Sequence, residues 1–292
     1  MLPKLNVLMS YPYITKDARE YLEGKDPGQF RLIVDSGAYS AWTKGRRVDL
    51  KEYVSFLKNL PTNWDLRTVQ LDVIGNPEAT YANWQTMLSA GLSDVMPVFT
   101  RGADPGVLEE FYKFAKVIMF GGIVKGEKNR EYIKWFTEQN NDRPVHWLGF
   151  VDVPFLLRYR PYSVDSSAIS TTQRYSRMSY YMGGGVLSGI NRVDFTRAPK
   201  KAFLKSTRAR GFTTDEIRLL GEESKWHGGA RTLAKGNGTG FASFVSFAHH
   251  VYRAIDVERN IGTRIYLAFA TKLELEASFD AYDFMKERGT LV

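Results

Sequence analysis

Short runs of apolar and β-branched residues recur along the chain, separated by stretches with helical spacing. The runs are 5–9 (LNVLM), 30–34 (FRLIV), 68–73 (TVQLDV), 95–99 (VMPVF), 117–121 (VIMFG), 145–150 (VHWLGF), 162–165 (YSVD) and 264–270 (RIYLAFA). Their lengths and compositions predict eight strands. Apolar residues spaced three and four apart predict helices over 50–60, 77–90, 105–113, 128–139, 241–259 and 273–288. Strands apolar on both faces that alternate with helices build a parallel sheet covered on both sides. Eight such units in 292 residues fit a closed (β/α)8 TIM-type barrel better than an open doubly wound sheet.

The rhythm stops after the seventh strand. Residues 166–240 are rich in Gly, Arg, Ser and Thr and read as one long insertion. A structureless loop of that length is rare in a compact domain, so the insertion is expected to carry small elements of its own. The organisation predicted is one barrel domain over 1–292, with 166–240 as an inserted basic subregion that contacts nucleic acid.

Composition narrows the class. With 43% hydrophobic and 14% aromatic residues the chain is not disordered. Zero Cys excludes a disulfide scaffold, thiolate zinc sites, iron–sulfur clusters and thiol catalysis. No apolar run approaches membrane-spanning length and the first residues lack the apolar core of a signal peptide, so a cytoplasmic protein without a membrane partner is expected.

The net charge of +8 is not spread evenly. Residues 1–165 carry 21 basic and 20 acidic side chains, and 213–292 carry 10 and 11. The window 166–212 holds nine basic residues against one acid, Asp194. Arg174, Arg177, Arg192, Arg197, Lys200, Lys201 and Lys205 are the candidate nucleic-acid contacts, with Arg208 and Arg210 completing the nine. Tyr175, Tyr180, Tyr181, Phe195, Phe203 and Phe212 interleave with them. Cations that neutralise phosphates and rings that stack on unpaired bases suit nucleic acid, although a solvated basic loop is the plainer reading.

In a barrel, reactive groups belong at the C-terminal strand ends. Four motifs fall there: 34–39 (VDSGAY), 70–75 (QLDVIG), 121–127 (GGIVKGE) and 163–167 (SVDSS). Three of them bring an aspartate, Asp35, Asp72 and Asp165, although Asp is a poor strand former and a desolvated carboxylate is costly. Helix capping explains any one of them. Three on one rim repel each other, and function commonly maintains such frustration. Two carboxylates flanking a glycosidic bond can supply a nucleophile and an acid/base, and a third can accept N–H bonds from a base edge. The Gly121–Gly122 pair permits close approach of a planar ring, or marks a plain strand-to-helix turn.

These motifs, in this order over residues 30–170, resemble the tRNA-guanine transglycosylase family, with GGIVKGE the most specific element. The resemblance implies a (β/α)8 barrel with Asp35 as general acid/base and Asp165 as covalent nucleophile. It further implies Asp72 on the guanine edge and the amides of Gly121 and Gly122 on the base O6. Ser36, Gly37 and Ile123 belong to the same substrate-binding motifs. The family's tRNA enzymes carry a zinc site of three Cys and one His, which a chain without Cys cannot build; its histidines are His146, His227, His249 and His250. The chain therefore looks more like the DNA-modifying branch found in phages and bacterial gene clusters. That resemblance implies a pentosyltransferase that exchanges guanine in DNA for a 7-deazaguanine base, 7-cyano-7-deazaguanine first among them. It needs no cofactor and no metal. Its partners are DNA and the free base, with tRNA or a non-catalytic nucleic-acid-binding barrel as the alternatives.

Several residues stay open. Tyr39, Trp42 or Phe99 is placed to sandwich a purine or to pack in the core, and Gln70 to point into the barrel. Residues 100–102 (TRG) lack the Gln that the family carries there. His249 and His250 point about 100° apart on a helix, which favours packing over shared metal ligation. His146 lies in a strand with no evident metal partner. The glycine runs 183–185 and 236–240 read as flexible joints of the insertion.

Overall fold

The computed structural model describes residues 2–123, 127–170, 177–226 and 240–291. Nine parallel strands, flanked by helices, form one nearly closed sheet: β1 (Leu5–Ser10), β2 (Phe30–Asp35), β3 (Leu66–Val69), β4 (Val95–Met96), β5 (Val98–Phe99), β6 (Ile118–Phe120), β7 (Val145–Trp147), β8 (Ser163–Ser166) and, after an antiparallel pair, β11 (Arg264–Phe269). That pair is β9 (Arg177–Gly183) and β10 (Val186–Asn191). The order β4-β3-β2-β1-β11-β8-β7-β6-β5 leaves β4 and β5 at its two ends. They are the halves of one predicted strand, split at Pro97, which has no N–H to give to a ladder. Gln70 bridges the split: its backbone N–H donates to Met96 O (3.0 Å) and its Oε1 accepts from Val98 N–H (2.8 Å). Its amide nitrogen donates to Thr80 O (2.8 Å), so the side chain is spent on holding the barrel shut. Counting β4 and β5 as one, the architecture is the (β/α)8 barrel that the alternation predicts.

Period-two alternation sorts the strand residues into two cores. Leu8, Ile33, Val69, Met96, Val98, Met119 and Tyr266 fill the interior. Val7, Met9, Leu32, Val34 and Val164 point outward and pack under the helices. At the N-terminal end of the barrel Arg31 reaches Asn6 Oδ1 and Glu258 Oε1 (both 2.9 Å), and Arg264 reaches the same Glu258 oxygen (3.0 Å).

All six predicted helices form, with ends shifted by a residue or two. The spacing overlooked Lys16–Glu23, Ala38–Trp42 and Val153–Tyr159; the last two are too short to show a period, whereas the first buries only Ala18 and Leu22 among charged neighbours. The insertion carries β9, β10 and helices Arg192–Arg197, Lys201–Arg208 and Thr214–Arg218. It packs on helix Phe241–Ile261: Ser179 N–H donates to Ser246 Oγ (3.1 Å), and Tyr181 N–H to His249 Nδ1 (3.2 Å). Gly183, Gly184 and Gly185 make the tight β9–β10 turn, all at positive φ. Gly185 O accepts from Arg253 Nε (2.7 Å), so this run is an anchored turn and not a flexible joint. Residues 236–239 of the second glycine run lie outside the described residues. Among the described residues no helix is long and apolar enough to cross a membrane.

Candidate active site

The β1–β2 register sets Ser10 opposite Asp35, two residues beyond the interior pair Leu8 and Ile33 and on the same face. Ser10 Oγ donates to Asp35 Oδ2 (2.9 Å), and Gly37 N–H donates to the same oxygen (2.9 Å). Gly37 sits at φ 75°, and a Cβ there would fall 2.6 Å from Pro12 Cδ. Both the backbone conformation and the space therefore require glycine. Buried Ser36 donates from Oγ to Asp72 Oδ1 (3.3 Å) and accepts from Ala38 N–H (3.3 Å). Asp72 stands three residues past β3, in a loop braced by Val73 N–H on Thr80 Oγ1 (2.9 Å) and by Asn83 Nδ2 on Leu71 O (2.9 Å). The predicted strand over 68–73 ends early, at Val69, and that frees Asp72 to turn toward Ser36.

Asp165 is held differently. Its Oδ1 accepts from Gly149 N–H (2.7 Å) and lies 3.2 Å from His146 Nε2. His146 Nδ1 in turn lies 2.8 Å from Ser163 Oγ. The ring is fully buried and packs edge-on against Tyr266, the register partner of Asp165, at a centroid distance of 5.9 Å. An ionised carboxylate only accepts, so toward Asp165 the proton belongs on Nε2, which leaves Nδ1 of a neutral ring to accept from Ser163 Oγ. Asp165 Oδ2 makes no hydrogen bond among the described residues.

The Asp165 charge bears on Asp35, and the Asp35 charge bears on Asp72. Burial raises the Asp35 pKa above the ordinary carboxylate value, hydrogen bonds from Ser10 and Gly37 oppose that shift, and the Asp165 charge adds to it. Burial, then the Asp35 charge, raises Asp72 to about 7, against the Ser36 bond. Tyr53, which donates to Val69 O (2.7 Å), is pushed up by burial and by the charges of Asp35 and Asp72. A site with one anchored carboxylate and two carboxyls shifted toward neutral pH can combine nucleophilic and acid/base work.

From the sequence, His146 reads as a strand residue with no evident metal partner, which gives it no catalytic role. The alternation itself was the signal: a polar residue between two outward-facing apolar ones points into the barrel. Ser10 and Gly149, which hold the carboxylates, carried no motif that marked them, and Ser163, inside the SVDSS motif, bonds to His146 instead of a carboxylate.

Other expectations require correction. Gly121 N–H donates to Phe99 O (2.9 Å), extending the β5–β6 ladder, so it is not free for a base carbonyl. Gly122 is exposed at φ 73°, and a Cβ there would press on Arg101 Cβ at 3.2 Å. Ile123 is buried in the outer core. Residues 124–126 of the same motif lie outside the described residues. Phe99 is fully buried against Phe120, Trp135 and Phe136, whereas Tyr39 and Trp42 are exposed. Thr100 is buried with its hydroxyl unpartnered, beside a pocket of about 380 Å³ that none of the three aspartates lines.

The basic window divides too. Arg177, Arg197, Lys200, Lys201, Lys205 and Arg208 are exposed. Arg192 pairs with Glu223 (3.4 Å), and Arg174 lies outside the described residues with Tyr175. Arg210 is buried, its guanidinium 3.2 Å from the Tyr252 ring centroid. The interleaved Tyr180, Tyr181, Phe195, Phe203 and Phe212 are all buried, so they form the insertion's core and are not presented to bases. His249 and His250 are buried, with burial lowering both pKa values, that of His250 to about 3; His227 lies outside the described residues. Among the described residues no group of three or more His, Asp or Glu is arranged to hold a metal ion.

No protein-family model matches the chain, and no curated protein matches it.

Proposed function

We propose that this chain is a guanine transglycosylase that exchanges guanine in DNA for a 7-deazaguanine base, with 7-cyano-7-deazaguanine the first candidate. The observation that carries the reading is the unequal treatment of two carboxyls at one barrel mouth. Asp165 is anchored through Oδ1 with Oδ2 free of hydrogen bonds among the described residues, while Asp35 is biased toward the protonated form. The ordered DSG, Asp72, GGIVKGE and Asp165 motifs support the same reading.

A stacked C1′ is out of reach of a side chain, so the target nucleotide is extruded. Asp165 Oδ2 attacks C1′; the C1′–Oδ2 bond forms as C1′–N9 breaks, and the bonding pair leaves on guanine N9, which takes a proton from Asp35. The entering base then gives its N9 proton to Asp35 and attacks C1′, expelling the Asp165 carboxylate. Two displacements retain the configuration at C1′. Gly149 N–H and His146 Nε2–H stay on Oδ1 throughout and stabilise the carboxylate as leaving group. Asp72 accepts from the N1–H and amino group of the base, contacts that favour its ionised form. The exposed cations of the insertion supply phosphate contacts.

The test incubates the purified chain with radiolabelled 7-cyano-7-deazaguanine and duplex DNA, single-stranded DNA or tRNA. Label is expected in DNA. Label in tRNA alone moves the substrate to RNA, and label in none, with binding intact, leaves a nucleic-acid-binding barrel.

A further inference from the structure

The rim beside Asp35 carries a second cationic surface, which the even charge balance of residues 1–165 conceals. Helix Ala38–Trp42 starts directly after Gly37 and ends in a glycine-terminated turn. Gly45, at φ 66°, donates to Trp42 O (3.0 Å), and Arg46 N–H donates to Ala41 O (2.8 Å). These two bonds, five-to-two and six-to-one, fix the backbone that displays Lys44, Arg46 and Arg47.

All three cations are exposed, and none has a carboxylate partner among the described residues. Trp42 and Tyr39 are 57% and 60% exposed, with ring centroids 6.1 Å apart and planes inclined at 36°. Lys44 Nζ rests 5.8 Å from the Tyr13 ring centroid, and Arg46 and Arg47 carry no such contact among the described residues. A buried ring gains from leaving water, so a large aromatic left exposed beside cations without carboxylate partners calls for a partner. The patch has flat rings rather than an aliphatic surface, and its three exposed cations outnumber the exposed Asp49 that follows them. Those features fit bases that stack and phosphates that follow one another along an unpaired strand.

We propose that Trp42, Lys44, Arg46 and Arg47 form a landing strip for the single-stranded nucleic acid that flanks the target nucleotide. Trp42 stacks on a neighbouring base while the three cations follow its phosphates. The proposal rests on the transglycosylase reading only for where the target nucleotide lies; strand binding by the patch stands or falls separately.

The test measures the anisotropy of a fluorescein-labelled oligo(dT) strand against the full chain over a range of salt. Trp42→Ala is expected to weaken binding about tenfold, a loss of one stacked base at about 1.4 kcal/mol. The double variant Arg46→Ala/Arg47→Ala is expected to flatten the slope of log K against log salt by about 1.4, two phosphate contacts on a single strand. All four side chains are solvent-facing, so thermal melts of the variants should match wild type. Wild-type affinity and slope in both variants overturn the proposal. So does binding to phosphatidylglycerol vesicles but not to the strand, which would make the patch a membrane contact. Base exchange by wild type with unaltered strand binding by the variants removes the landing strip and keeps the enzyme. Strand binding through Trp42 without any base exchange does the reverse.

Discussion

His146 Nε2 lies 3.2 Å from Asp165 Oδ1, and the far side of the same buried ring lies 2.8 Å from Ser163 Oγ. The three side chains form a line that fixes the orientation of the carboxylate and the position of its proton donor. His146→Leu keeps the bulk and removes the donor. A charge-assisted hydrogen bond of about 1.5–3 kcal/mol corresponds to a fall of about 10- to 100-fold in base exchange. His146→Gln, whose amide nitrogen reaches the place of Nε2, should restore much of it. Equal rates in the Leu and Gln variants would reduce His146 to packing. The ¹⁵N shifts of the ring report the tautomer directly, and protonation at Nδ1 would contradict the line.

Asp165→Asn leaves the shape of the site and removes the bare oxygen's nucleophilicity. Base exchange should fall by about 10³-fold or more, and no covalent DNA adduct should survive denaturation. A wild-type-like adduct on denaturing gels would remove Asp165 from the mechanism.

The raised Asp72 value makes stability depend on pH in a defined direction. The folded state holds this proton up to about 7, whereas the unfolded chain releases it near 3.8. Between those values the folded state binds more protons, so stability falls as pH rises. Asp72→Asn removes that penalty and should stabilise the protein at pH 8 by up to about 4 kcal/mol, with little effect at pH 4. Urea titrations at the two pH values measure it, while guanine binding should weaken in the same variant.

Gly37→Ala must strain a backbone at φ 75° and force a methyl to 2.6 Å from Pro12 Cδ. The loss should be about 1–3 kcal/mol, with displacement of the N–H that holds Asp35. A calorimetric melt unchanged from wild type would show that the turn gives way without cost.

Two basic residues of the insertion should part company under mutation. Arg210→Ala removes a buried guanidinium from the Tyr252 face and should lower the melting temperature. Lys200→Ala is exposed and should leave the melt unchanged while weakening DNA binding at low salt.

Apolar runs with helices between them call for a parallel sheet covered on both faces, because a strand apolar on both sides needs cover on each, and the count of eight favours the closed barrel over the open doubly wound sheet. The same alternation puts Asp35 and Asp165 toward the C-terminal ends of β2 and β8 on the interior face, so the placement of these two carboxylates was legible as well. Tertiary contacts decided the rest. Gln70 became a brace because Pro97 leaves a neighbouring amide in want of an acceptor. Gly121 lost its amide to Phe99 O. His146 gained a role from Ser163 and Asp165, 17 and 19 residues away in the chain. Tyr180, Tyr181, Phe195, Phe203 and Phe212 among the insertion's cations are core, since composition counts which residues neighbour one another in sequence, whereas burial depends on which faces the chain turns inward. What a side chain can be follows from its type and spacing; which partner takes its hydrogen bond, and so whether it is free to react, is set where distant segments meet.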